Sequence, residues 1–317
     1  MSTESPQDAT SKTRKQRLYR QALEGAVRNA DNPVSQCFAG YLPVLFVLAG
    51  LGARTLAGPV LALVLVASAV SVGTLLVGLR RLALGKSRGS IDWDGEEPYE
   101  QAVRAETSAQ ALGVLDETAT WIRKLGYRTH LFRMECLCDK DDAECACRHR
   151  WIAGVAPFPG TGRAVLLVGD RLLNDEPKIL QFVMAHERTH IAPLMFWTHR
   201  VRTVVATLGA TIAGILTSGI TVWAAAVALL VVHVMWGWAI ELACDARAAR
   251  RHGDVAPQFW AIYGEAKTRS RRAVRSVWRR GLWLVARMVP SHPPVPLRAW
   301  LCRVLYSNAV RRTPRVE

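Results

Sequence analysis

Val183-Met184-Ala185-His186-Glu187-Arg188-Thr189-His190 sets an HExxH pattern inside a segment of apolar periodicity. That periodicity predicts a helix, and residues four apart on a helix share one face. His186 and His190 can therefore present their imidazoles to one metal ion, with Glu187 standing beside the open coordination position. Two neutral nitrogen donors at this spacing suit zinc, and the adjacent carboxylate suits removal of a proton from water. The pattern points to a zinc-dependent peptide hydrolase. Its alternative is a surface helix carrying two solvated histidines.

The flanks of this stretch support a helix with defined ends. Asn174-Asp175-Glu176-Pro177 is a helix-start signal, with proline where a missing N–H costs nothing, and Pro193 ends or bends the helix. Upstream, Ala164 to Val168 is a short apolar run containing β-branched Val165 and Val168, which predicts a strand. An exposed edge on that strand could hold an extended peptide through main-chain hydrogen bonds; packing the small domain is its alternative role. Further upstream, apolar residues recur at helical spacing from Tyr99 to Leu125, with Gly126 at the expected C-terminal cap. Tyr127, Thr129 and Leu131 then alternate like a strand.

The 317-residue chain is 50% hydrophobic, and the apolar content comes in blocks. Phe38 to Ala53 and Leu56 to Leu79 carry no charge and are separated by Arg54, which predicts a hairpin of two membrane helices, with buried core helices of a large soluble protein as the alternative. Thr203 to Ile240 is also free of Asp, Glu, Lys and Arg, and Thr217-Ser218-Gly219-Ile220-Thr221 suggests a turn in its middle. The expected fold is a mainly α membrane protein with four transmembrane helices in two hairpins and a small α+β zincin-like domain. Its parts are a polar basic segment at 1–36, a hairpin at 37–80, a metalloprotease domain at 81–200, a second hairpin at 201–243 and a basic helical region at 244–317. Lys and Arg fall on the flanks of both hairpins and, apart from Arg54, not in their turns. By the positive-inside rule the flanks and the HExxH segment face the cytoplasm, in a multi-pass plasma-membrane protein of bacterial type. The polar start of the chain lacks an apolar core, so the first hairpin is expected to act as the insertion signal.

A net charge of +15 raises the question of nucleic acid, but the charge clusters beside the apolar blocks and in the tail, without a recognisable nucleic-acid module. Anionic membrane lipid is the expected partner. Arg269 to Arg287 interleaves arginine with Val274, Val277, Trp278, Leu282, Trp283 and Val285, a composition suited to a helix lying on a negative leaflet. A plain solvated basic helix is the alternative.

A catalytic zinc of this kind needs a third protein ligand and one open position. Glu241 is the candidate, at the cytoplasmic end of the fourth apolar block, with Asp245 one helical turn further to accept from a ligand imidazole or to fix the Glu241 helix; the polar end of a membrane helix is the alternative for both. His233 lies eight residues before Glu241 and is expected to hydrogen-bond a neighbouring helix. Cys136, Cys138, Cys145 and Cys147 cluster around an acidic turn, with His149 nearby. They can form a second, structural zinc site, a redox-responsive thiol set or disulfides, or stay idle.

The run Ala164 to Leu173, the HExxH helix, Glu241-x-x-x-Asp245, and Ser291-His292-Pro293-Pro294 followed by Arg298 together resemble the HtpX-like and CAAX-prenyl-protease-like membrane zinc metallopeptidases, peptidase family M forty-eight. The resemblance spans nearly the whole chain. HExxH alone is shared by many metallopeptidases, whereas the ordered set, with an apolar pair between the histidines and the glutamate, is more specific. The resemblance implies that His186, His190 and Glu241 bind zinc, that Glu187 is the general base, and that Asp245 supports them. It places His292 and Arg298 near the active cleft as catalytic candidates, His292 as a partner for substrate or the tetrahedral intermediate. Cys244 stands where that motif often has a small residue, and the four-cysteine segment lies outside the pattern. The implied activity is zinc-dependent endoproteolysis of membrane or membrane-near proteins, misfolded ones included. A sensor protease cutting one dedicated regulator, or a zinc-stabilised scaffold without hydrolase activity, are the alternatives.

Overall fold

The computed structural model describes residues 33–70, 97–134, 153–158, 162–174, 176–272, 277–290 and 292–312. These are mostly helical, with one three-stranded sheet. The chain divides into two units, one of Met1–Asp31, Arg81–Arg188 and His252–Ala273, the other of Asn32–Arg80, Thr189–Arg251 and Val274–Glu317. The division falls within a single continuous helix, the one that carries HExxH.

In the second unit, α1 (Pro33–Ala57) is followed after Gly58 by the shorter apolar α2 (Pro59–Val70). In the first unit, α3 (Glu97–Ala105) and α4 (Ala109–Lys124) replace the single helix expected over 99–125. The interruption is chemical. The Thr107 hydroxyl donates back to Val103 O at 2.7 Å, and Ser108 caps α4 by accepting from Ala111 N at 3.3 Å. Ser108 also donates to Leu173 O at 3.0 Å, which fixes the entry of α4 against the chain ahead of the HExxH helix. Gly126 ends the helix at φ +87°, a left-handed conformation that side chains other than glycine avoid.

Strands β1 (Arg128–Met134), β2 (Ala153–Phe158) and β3 (Arg163–Gly169) pair in the order β1-β3-β2. β3 runs parallel to β1, with Leu131 opposite Leu166, and antiparallel to β2, with Val155 opposite Leu166. The strand expected at 164–168 is therefore present, and of its two readings, an exposed edge or a strand that packs the small domain, its central place fits the second. β3 is the central strand, bonded on both sides, and any added peptide strand would have to use β1 or β2. Its composition fits that place: Ala164 through Val168 are all buried, as in a strand covered on both faces. A short α5 (Asp170–Asn174) leads to α6 (Pro177–Ile191), the HExxH helix. α10 (Ala256–Arg272) packs Phe259 and Trp260 against Phe182 of α6, at centroid distances of 5.5 and 6.3 Å. Arg188 donates to Glu117 at 2.7 Å and lies 5.2 Å from the Trp121 ring centroid, which ties α6 to α4.

The second unit continues with α7 (Pro193–Val204), a π-helical turn (Val205–Gly209), α8 (Ala210–Leu216), α9 (Ile220–His252), α11 (Val277–Met288) and α12 (Val295–Arg312). Two of its helices are long and apolar enough to cross a membrane, over Ala39–Ala57 and Ile220–His252. In α9 the uncharged residues from Ile220 to Ile240 rise about 30 Å at 1.5 Å each, the thickness of a hydrocarbon core, and Glu241 is the first charge after them. Trp223, Val227, Val231 and Met235 recur along α9 and are each more than half exposed, while Val222, Ala226, His233 and Gly237 are buried. An apolar face turned outward along a helix of this length is the pattern of lipid contact. At the far ends, Arg54 donates to Thr217 O at 2.5 Å, so the two expected hairpin turns meet.

α1 and α8 approach backbone to backbone. A Cβ on Gly50 would collide with the carbonyl of Thr211, and one on Gly214 with the carbonyl of Val47. Small residues permit such an approach between apolar helices, where close packing drives association. Gly214→Ala is expected to destabilise the unit by about 1–3 kcal/mol or more, because the clash is with main chain. Thermal unfolding in detergent reads this, with Gly219→Ser, in open space, as the comparison for a turn glycine at φ +58°.

Candidate metal centre

α6 starts at Pro177, with Leu180 N donating to Glu176 O at 3.1 Å, and buries Ile179, Leu180, Phe182, Val183 and Met184. That apolar face fixes the rotation of the helix and so the direction of its polar residues. His186 is 8% exposed, a buried polar side chain. One potential ligand atom from each of His186, Glu187 and His190 lies within 4.8 Å of the others, so this group can hold a metal ion. Two imidazoles and a carboxylate form a donor set that borderline cations such as zinc accept.

His190 is also the centre of a second set of contacts. Its Nε2 lies 3.6 Å from Oε1 of Glu241 on α9, and Nε2 of His292 lies 3.6 Å from the same oxygen. The other carboxylate oxygen of Glu241 is 3.0 Å from Nη2 of Arg298. Arg298 in turn donates to Asp245 through Nε at 2.6 Å and Nη2 at 2.9 Å. Asp245 is fully buried and Arg298 is 6% exposed. The forked guanidinium thus bridges two carboxylates one helical turn apart, engaging one oxygen of Glu241 and leaving Oε1 directed at the histidines. Asp245, expected to accept from a ligand imidazole or to fix the Glu241 helix, receives the Arg298 guanidinium. His292 sits outside this buried pair, with its side chain 56% exposed. It is therefore open to a molecule approaching from solvent. Arg298 is carried near the start of α12, where its N donates to Pro294 O at 3.2 Å.

The other nitrogen of His190 faces a residue for which the sequence offers no pattern. Nδ1 of His190 is 3.2 Å from Nε2 of His199 and 3.6 Å from Sγ of Cys244. The break at Ala192 between α6 and α7, with Pro193 opening the second helix, brings His199 back onto His190. Their ring centroids are 5.4 Å apart. Burial, and then the neighbouring Arg202, lower the pKa of His199 below the usual histidine value, so near neutrality its ring is uncharged and keeps one nitrogen as an acceptor. If Nε2 of His190 were to hold a metal ion, Nδ1 would carry the ring proton and could donate to His199. A hydrogen bond of that kind fixes the tautomer and raises ligand basicity. His199→Ala is expected to weaken binding of a metal ion at this group about 10–100-fold without unfolding the chain. Competition with a metal chelator checks it.

Further along α9, His233 Nε2 lies 3.0 Å from Ala39 O of α1, as expected for a histidine bonded to a neighbouring helix. Arg202 joins it, with Nη2 at 3.0 Å from the same nitrogen and Nε donating to His233 O at 3.1 Å. A Cβ on Gly237 would stand 2.8 Å from that guanidinium, so glycine is what admits Arg202 against α9. Cys136, Cys138, Cys145 and Cys147 lie outside the described residues.

No family model, curated protein or solved structure matches this chain.

Proposed function

We propose that the chain is a membrane-bound zinc metalloendopeptidase, similar in kind to the HtpX-like and CAAX-prenyl-protease-like metallopeptidases, acting on membrane or membrane-near proteins. In this reading it has four spans in two hairpins, and a zincin-like domain holds the centre on the cytoplasmic side. The observation that carries it is the position of His190. Its ligand atom groups with those of His186 and Glu187 on one helix, while its Nε2 lies 3.6 Å from Glu241 on a helix of membrane-spanning length.

His186, His190 and Glu241 would hold the zinc. A zinc ion bound there supplies Lewis-acid polarisation of the scissile carbonyl and acidifies water from its ordinary pKa to near 7. Glu187 takes the proton from the attacking water and passes it to the leaving amine nitrogen. Arg298 holds one oxygen of the Glu241 carboxylate and so aims the other, and Asp245 holds Arg298 in register. His292, half-exposed beside Glu241, is placed to hydrogen-bond the carbonyl oxygen as negative charge develops on it.

The test is digestion of casein by the full-length protein in detergent or vesicles, with and without a zinc chelator. The reading expects cleavage that the chelator stops and added zinc restores. Cleavage indifferent to the chelator rules out a metallopeptidase, and cleavage of one partner protein only would favour a dedicated regulator protease.

A further inference from the structure

Among the described residues, α11 is fastened to α1 along one side. Tyr41 Oη donates to Val285 O at 3.2 Å and Cys37 Sγ to Leu282 O at 3.3 Å. Gly40 comes so close that a Cβ there would stand 2.8 Å from Val289 O. These contacts latch α11 to the part of α1 where the membrane-length segment Ala39–Ala57 begins. The other side is apolar and open: Val277 is 82% exposed, Trp278 74%, Leu284 63% and Met288 78%. Val277, Leu284 and Met288, spaced by seven and four, share one helical face. Single exposed apolar residues are ordinary on a surface, but a stripe of this size on a twelve-residue helix marks an interaction site. α11 contains no acidic residue and has three arginines, Arg279, Arg280 and Arg287, a balance that fits a negatively charged surface. Adjacency to the end of a candidate span puts this stripe where headgroups would lie.

We infer that α11 is a membrane-surface helix seated on anionic phospholipid, with Val277, Trp278, Leu284 and Met288 at the acyl boundary. The inference rests on α1 and α9 being embedded, and it deepens the substrate class. Only the segment 289–291 separates α11 from His292, and Trp238 Nε1 fastens it by donating to Pro290 O at 2.9 Å. Four residues extend at most about 14 Å, so His292 lies within that distance of a helix resting on the headgroups. A centre at that depth takes segments that emerge from the bilayer or lie along it.

The test places the photo-reactive residue p-benzoylphenylalanine, one site at a time, in the full-length protein in vesicles of phosphatidylcholine alone or mixed with phosphatidylglycerol. The variants are Leu284→p-benzoylphenylalanine and Met288→p-benzoylphenylalanine on α11, Val231→p-benzoylphenylalanine on the outward face of α9, and Arg303→p-benzoylphenylalanine at an exposed position of α12. Intact mass reads the adducts. Phospholipid adducts are expected at 284, 288 and 231, low yield at 303, and about fivefold more adduct at 288 when phosphatidylglycerol is present. Lipid at 231 but not at 284 or 288 overturns the assignment of α11 while leaving the embedded reading standing; lipid at none of them removes both. A crosslink from 288 to a second copy of the chain makes the stripe a protein interface. Equal yields in the two vesicle types remove the anionic surface. None of these readouts needs turnover, so failure of the peptidase reading is separately visible.

Discussion

Glu187→Gln is expected to keep zinc bound and to lose peptide cleavage by about 100–10,000-fold, the range that a positioned general base contributes. The change removes the proton acceptor and preserves the size and the hydrogen-bonding shape of the side chain. His186 and His190, the nitrogen donors on the same helix, are untouched, so the metal count should not change. Turnover and zinc content measured on one preparation separate chemistry from loss of the metal. Unchanged turnover with zinc bound eliminates Glu187 as the base.

Arg298→Ala should be the most damaging single change to folding in this region, costing about 3–5 kcal/mol, because a fully buried carboxylate loses its bidentate partner. Cutting one half of a buried ion pair costs far more than removing both halves together. Asp245→Asn combined with Arg298→Met should therefore recover much of the lost stability in thermal unfolding. It should not recover tight zinc binding, since Glu241 still lacks the group that engages its second oxygen. Recovery of both would mean that Arg298 only stabilises the fold and does not orient Glu241.

What was legible in the sequence follows from the range of the physics involved. The HExxH helix is local: an i, i+4 pair on an apolar-periodic segment with proline at its start and after its end was readable directly, and α6 runs Pro177–Ile191. Glu241 and Asp245 could be singled out in the sequence only alongside HExxH, because alone they read as the polar end of an apolar helix; in the structure Oε1 of Glu241 lies 3.6 Å from Nε2 of His190. The bridge that Arg298 makes between them was not readable, because two carboxylates and a guanidinium 53 residues further on meet only through tertiary packing. His199 was invisible for the same reason. Nine residues after His190 and beyond a proline, it carries no spacing signature, and only the turn at Ala192 brings it to Nδ1.

The sheet gives a similar lesson. A run of buried β-branched residues identifies a strand but does not say which neighbours it takes, and β3 proved to be bonded on both sides. Apolar length marked α1 and α9 well. The chain from Pro193 to Leu216 is less regular, divided by the π-helical turn at Val205–Gly209.

The central claim is that His186, His190 and Glu241 share one zinc ion, and counting metal per chain tests it most directly. Elemental analysis of the full-length protein, compared with Glu241→Ala and with His190→Ala prepared alongside, is expected to show one zinc fewer per chain in each variant while the helical content stays the same. Equal zinc in all three preparations, or none in the unaltered protein after purification with zinc present, would contradict the account.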